Sequence, residues 1–514
     1  MSIKKKNLAI KTLFGGIIVN FIINTYHIPE NLSNYFYSYL QYINENIYSK
    51  EKVDILSNLS NIIYLISIPF GIELNEYFHF NTNLLIGLSL LVRFLSIYLL
   101  IYSTNNKIFF FYLITKSLSS GLCFLPIILE IWKYYPDKKG LILGIFHLGK
   151  GFIAFFSECI SIQLINPMQI KYIPFKNIYP TEINENFLNY LKISMIIICI
   201  LGSISQSLIY PYSIYVNLFS YKKNNFIEKL NKGLLKDFYI LRSKSIYRKT
   251  ISSTKSSNNE NCLNINEKEL KKENYNINKS KIKEPFISLI TSYPFLQLTS
   301  IYFLIMSFNS IDLSSIFKLG LNKNFDKKFL LFTKIFWILI NNIWNILSGY
   351  LLDLIKFKKL LIILVIIQIF LITTFYFILN NIFGFILFIT FNSIINSSNY
   401  IIVPFSFNFI FGDEKGLLLY GISSIIINIF YIYKNYIFYI LSEKINFFIL
   451  CFIFIIFYMV SLIILCFFEE KKHIYKIEDE NREEIMFDLS NEKELDDIDI
   501  CDEKEFKNKH YSET

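Results

Sequence analysis

Twelve apolar runs, each about the length that crosses a hydrocarbon layer, leave this chain few ways to fold. They lie near residues 8–28, 53–74, 84–103, 107–131, 140–164 and 190–215, then 294–317, 329–352, 360–379, 382–405, 416–441 and 444–467. Within lipid a helix satisfies its own backbone hydrogen bonds, so runs of this length predict an all-α membrane protein. Composition points the same way: 53% of residues are hydrophobic and 18% charged, where soluble domains carry about a quarter charged. Ile, Asn, Lys, Phe and Tyr are in excess, so a single Asn or Tyr carries little weight. The apolar run after Met1 has no small-residue cleavage site and is read as a first span rather than a removed signal.

The runs fall six and six, giving an N-terminal bundle over 1–216 and a C-terminal bundle over 286–468. Between them, 217–285 holds sixteen Lys/Arg against seven Asp/Glu and is rich in Ser and Asn, which predicts a basic, disordered loop. The tail 469–514 reverses the sign, with seventeen Asp/Glu and eight Lys/Arg. Lys4, Lys5 and Lys6, then Lys133, Lys138 and Lys139, then Lys356, Lys358 and Lys359 all fall on one side of an even set of spans. Cytoplasmic loops collect basic residues, so both termini are expected in the cytoplasm. Lys323, Lys327 and Lys328 run against that bias. The net charge of +10 follows from this orientation and gives no reason to expect nucleic acid as a partner; membrane lipid is the expected surrounding.

No glycine-rich phosphate loop, clustered histidine and carboxylate set, or nucleophile beside a base is found, so neither an ATP-driven pump nor an enzyme is expected. No cofactor or metal is expected either. Most of the seven cysteines lie inside apolar runs, where they act as small hydrophobes.

Between the fourth and fifth runs stand Gly121 to Pro126, then Tyr134-Tyr135-Pro136-Asp137-Lys138-Lys139-Gly140, then Gly144 and Gly149-Lys150-Gly151. Pro136 cannot continue a helix, the lysines anchor an interface, and the glycines allow close helix packing. This run resembles the major facilitator superfamily, and within it the monocarboxylate-transporter and oxalate/formate-antiporter branch. Gly349-Tyr-Leu-Leu-Asp353-Leu-Ile-Lys356-Phe-Lys358-Lys359 is similar to that superfamily's Gly-x-x-x-Asp-x-x-x-basic signature. The first-half counterpart, from Gly71 through Glu73 and Glu76 to Asn83, keeps a glycine and carboxylates without the basic residues. Gly15-Gly16, Tyr26, Asn31, Tyr35, Ser38 and Tyr39 resemble a run near the first span of the branch, and Phe411-Gly412 with Tyr420-Gly421 its pattern before span 11.

The resemblance implies a major facilitator fold of about twelve transmembrane helices in two six-helix bundles. It also implies a gate on the cytoplasmic side, here carried by Asp137, Lys138, Lys139, Gly349, Asp353 and Lys358. The branch's span-8 arginine and span-11 lysine fall on Asn345 and Ile427, while Lys334 and Lys434 lie nearby on nearly the same helical faces.

A charge inside a membrane disfavours insertion by about 2.5–3.5 kcal/mol, so each one is a functional candidate. Arg93, Lys116, Lys150, Glu158, Lys334 and Lys434 are such residues. Lys150 and Lys334 stand about three turns from a span end and are expected to reach the interface. Glu158 and Lys116 fall at similar depth, and are read either as a structural ion pair or as proton-coupling residues. Asn392, Asn396 and Asn399 form one polar stripe and Lys334, Asn341 and Asn345 another, facing a cavity or a helix partner. The candidate solute site is therefore Lys434, Arg93, Tyr26, Asn345, Asn396 and Lys334.

The functional expectation is secondary active transport of a small organic anion of the monocarboxylate kind by alternating access, with a proton as candidate partner. A transporter of neutral or zwitterionic solutes, and a transporter-like receptor or scaffold that moves nothing, stand as rivals.

Overall fold

The computed structural model describes residues 3–24, 30–43, 50–77, 82–102, 106–168, 170, 179–212, 286–309, 320, 325–378, 381–413, 415–428 and 447–470. Regular structure among them is helical. The first half consists of α1 (Ile3–Asn24), α2 (Glu30–Ile43), α3 (Lys50–Tyr77), α4 (Thr82–Tyr102), α5 (Asn106–Tyr134), α6 (Lys139–Ile160) and α7 (Thr181–Leu208). The second consists of α8 (Phe286–Ile290), α9 (Tyr293–Asn309), α10 (Lys327–Leu354), α11 (Phe357–Ile378), α12 (Ile382–Phe411), α13 (Lys415–Asn428) and α14 (Phe447–Phe467). Each of the twelve apolar runs holds a helix among the described residues. Seven helices among the described residues are long and apolar enough to cross a membrane. Their outward faces carry large exposed hydrophobics, such as Leu88, Leu91 and Leu95 on α4, which lipid covers in an integral membrane protein.

Chain chemistry sets the helix limits. α5 stops at Tyr134 and Pro136–Lys138 makes a single 3₁₀ turn, as a proline that cannot extend a helix requires. α12 ends on Gly412, whose φ of +82° needs a residue without a side chain, and its amide returns to the Asn408 carbonyl at 3.0 Å. α7 begins at Thr181, ahead of the apolar run expected from 190, because Ile183, Asn184 and Phe187 are buried by packing.

That packing partner is α2, a helix hydropathy did not foresee. Its Phe36, Tyr39 and Leu40 enter one apolar cluster with Phe109 and Tyr112 of α5 and Phe187 of α7. Ser38, fully buried, donates to Asn184 Oδ1 at 2.8 Å and accepts from the Tyr179 amide at 2.7 Å. Tyr35 stacks on Tyr179 with ring centroids 4.7 Å apart.

At the other end of the first half, Tyr134 Oη donates to the Tyr210 carbonyl at 2.9 Å, and Thr82 Oγ1 to Glu130 at 3.2 Å. In the second half Lys358 Nζ donates to the carbonyls of Cys466 and Phe468 at 3.0 and 2.7 Å, capping the exit of α14. The helix ends that carry Lys133, Lys138, Lys139, Lys356, Lys358 and Lys359 thus gather on one face, called the basic end below. Residues Tyr212–Phe295 cluster as a second compact unit, of which Tyr212 and the stretch from α8 to the start of α9 are described. The basic loop 217–285 and the acidic tail beyond Glu470 lie outside the described residues.

Candidate functional site

At the basic end the two halves meet along α6 and α10. The first turn of any helix leaves amides without intrahelical partners and carries partial positive charge. Here the Asp353 carboxylate, at the end of α10, accepts from the Gly140 and Leu141 amides at the start of α6, both at 2.8 Å. Two glycines permit this approach. A β-carbon on Gly140 would run into the Gly349 carbonyl, and one on Gly349 into the Gly140 carbonyl. One helical turn further, a β-carbon on Gly144 would strike the Asn345 carbonyl. The contact is backbone against backbone.

Lys139 secures the same corner to α12. Its ammonium pairs with Asp413 and donates to Asn408 Oδ1 at 3.2 Å, while Asn408 Nδ2 donates to Asp413 at 3.1 Å. Trp132 Nε1 holds the Lys139 carbonyl at 3.0 Å. Of the six residues read as a gate, the structure therefore brings Lys139, Gly349 and Asp353 into one contact. Asp137 and Lys138 are exposed in the 3₁₀ turn beside it, and Lys358 caps α14 instead. On the first-half side, Gly71 packs on the Leu122 backbone within its own half, whereas Gly421 of α13 lies against Pro69 of α3 across the halves.

The deeper candidates do not converge. Arg93, 2% exposed on α4, donates to Ser120 Oγ of α5 at 2.5 Å, and Lys116 lies within its electrostatic reach. Both cations belong to the first half. Lys334 is half-buried on α10. Asn345, buried on α10, donates to Asn341 Oδ1 at 3.2 Å, and Asn396 is half-buried on α12. Lys434, Tyr26 and the side chain of Glu158 lie outside the described residues.

Two groups named in the sequence take on partners that it did not show. Lys150, expected to reach the interface, places its ammonium 4.1 Å from the ring centroid of Tyr400 on α12, across the halves. On the facing helices α10 and α12, Asn342, Asn345, Asn392 and Asn399 are buried, and each has an amide atom without a hydrogen-bond partner among the described residues. An unsatisfied buried polar group costs about 1–3 kcal/mol, so water or a solute normally fills such a site. The asparagine stripe was visible as a 3.6-residue period, but which of its amides lack partners depends on how α10 and α12 pack.

No family model and no curated protein matches the sequence. Solved structures do. The chain superposes on "the MFS (major facilitator superfamily) proton:xylose symporter XylE bound to 6-bromo-6-deoxy-D-glucose" with a TM-score of 0.58 at 14% identity, over 90% of this chain and 94% of that one. It superposes on the transporter FucP "in the outward conformation" with a TM-score of 0.56 at 12% identity, over 89% and 98%. A variant of the E. coli fucose:proton symporter FucP gives 0.56 at 10% identity, over 90% and 98%. At such identities the likeness defines the fold: this is an all-α chain with the major facilitator fold.

Proposed function

We propose that the chain is a secondary active transporter that moves a small organic anion of the monocarboxylate kind by rocking its two halves about a midplane site. The observation that carries this reading is the junction at the basic end. The halves touch there through bare glycine backbone, the Asp353 carboxylate on a helix start and the Lys139–Asp413 ion pair, a contact that can part and reform without a covalent change. Fold neighbours that are proton symporters support the same class of activity. Lys434, with Arg93 or Lys334 and Tyr26, holds the anion in this reading, and Asn345 and Asn396 contribute hydrogen bonds. Lys116 and Glu158 stand about 27–29 Å from the α5–α6 turn, at one level along antiparallel helices. They are the proton-coupling pair. The basic loops place both termini in the cytoplasm.

A neutral-solute reading has its own support, since Asn345 occupies the position where the branch carries an arginine, and two of the solved neighbours are proton symporters of xylose and fucose. One experiment separates the two. Proteoliposomes holding the full chain are given labelled lactate, pyruvate or formate under an imposed pH gradient, wild type beside Lys434→Ala. Saturable uptake that falls about tenfold in the variant is the expected result, in line with removal of a charge-assisted contact. Absence of uptake of all three acids under either gradient, with uptake of a sugar or neutral amino acid in the same vesicles, overturns the anion reading.

A further inference from the structure

Lys150 stands on α6 about 16 Å from the helix start at Lys139, and Tyr400 stands on α12 about 16 Å from the helix end at Phe411. Those two ends meet at the basic end through Lys139, Asn408 and Asp413. The ammonium and the ring beneath it therefore sit near the middle of a hydrocarbon layer about 30 Å thick, between the halves. At the same level α10 carries Asn342 and Asn345, about 14–18 Å from its end at Leu354, and α12 carries Asn399. The Asn342 amide packs on Gly151, next to Lys150 in the chain. These three asparagines are 9%, 5% and 1% exposed. Asn342 Oδ1, Asn345 Oδ1 and both amide atoms of Asn399 have no partner among the described residues.

A lysine ammonium carries three hydrogen-bond donors, which the face of an aromatic ring attracts without accepting in a directed way. Among the described residues Lys150 makes no ion pair. An ammonium between two halves with no ion pair among the described residues, at the level of buried amides that lack partners there, is built to receive an anion that also hydrogen-bonds.

We propose that Lys150 binds the carboxylate of the transported solute alongside Lys434, that Asn342, Asn345 and Asn399 bind a second polar group on it, and that Tyr400 holds the ammonium when the site is empty. The assignment deepens the transporter reading and rests on it for its consequence. The substrate class becomes a small carboxylic acid with a hydroxyl, oxo or amino group near the acid, in preference to a plain alkanoate. Because Lys150 lies on the first half and the asparagines on the second, one solute spans both, so loading and rocking are coupled.

The test is thermal unfolding of the purified full chain in lipid nanodiscs against lactate, pyruvate and methyl lactate, the last being the uncharged methyl ester of lactate. The two acids should raise Tm and the ester should not. Lys150→Gln should weaken acid binding about tenfold or more, the effect of removing one charge-assisted contact, while Lys150→Arg keeps it within about threefold. Equal binding of acid and ester by the wild type overturns the proposal even if the glutamine variant fails to fold. So does undiminished acid binding in Lys150→Gln, or binding of neither acid. Acid binding that depends on Lys150 in a protein whose vesicles carry nothing sinks the transporter reading and leaves the site. Transport of neutral solutes with no acid binding does the reverse.

Discussion

Alanine at Asp353 should part the two halves at the basic end. The carboxylate accepts from the Gly140 and Leu141 amides at 2.8 Å and faces the positive end of α6. Its loss removes two hydrogen bonds to a charged acceptor, worth about 1.5–3 kcal/mol each, together with a helix-end interaction worth about 0.3–1 kcal/mol. The site is half-exposed, so about 3 kcal/mol in total is a fair figure, which shifts the balance between the joined and parted states about a hundredfold. Ser348, fully buried on α10 one residue before the glycine contact, is a reporter. In a cysteine-depleted background, Ser348→Cys should react with a membrane-impermeant maleimide at least about ten times faster when Asp353→Ala is added. Uptake should fall, because a state that no longer closes at one end cannot complete the cycle. Unchanged labelling would mean that the carboxylate only decorates a junction held by packing.

Gly349→Val attacks the same junction sterically. A β-carbon at Gly349 meets the Gly140 carbonyl, which belongs to the backbone of the opposite half. No side chain can swing away to relieve that overlap. Overpacking of this kind costs about 1–3 kcal/mol, here charged against the joined state alone, since Gly349 borders the other half rather than its own core. Uptake should therefore fall between about 5-fold and 150-fold while the amount of folded protein in the membrane stays near wild type. Proteoliposome uptake beside a size-exclusion profile checks both. A collapse of the folded fraction would instead place Gly349 in the core of its half.

These two residues were legible in the sequence because they stand in a run similar to the superfamily's Gly-x-x-x-Asp-x-x-x-basic signature, and that resemblance implied a gate. The twelve spans were legible because hydropathy acts locally. What failed to show was everything set by how separate helices pack. α2 lacks an apolar run, and its fourteen residues become a helix by burying Phe36, Tyr39 and Leu40 on α5 and α7. Asp413 pairs with Lys139 across 274 positions, and nothing in either neighbourhood announces the other. Lys150 was misjudged by counting turns to a span end, a measure of depth that ignores the neighbouring half, where Tyr400 offers a ring at the same level. Of the residues central to the anion reading, Lys434 was chosen from its helical face and Tyr26 from the resemblance near the first span, and both lie outside the described residues.

The central claim is that this major facilitator fold works by parting and rejoining at the basic end. Its most direct test is the distance distribution between spin labels at Asp137→Cys and Lys356→Cys, two exposed positions on opposite halves, measured in liposomes with and without solute. The account predicts a short and a long population in exchange, the solute altering their ratio and Asp353→Ala moving weight to the long one. A single short distance under every condition, unmoved by the substitution, would contradict it.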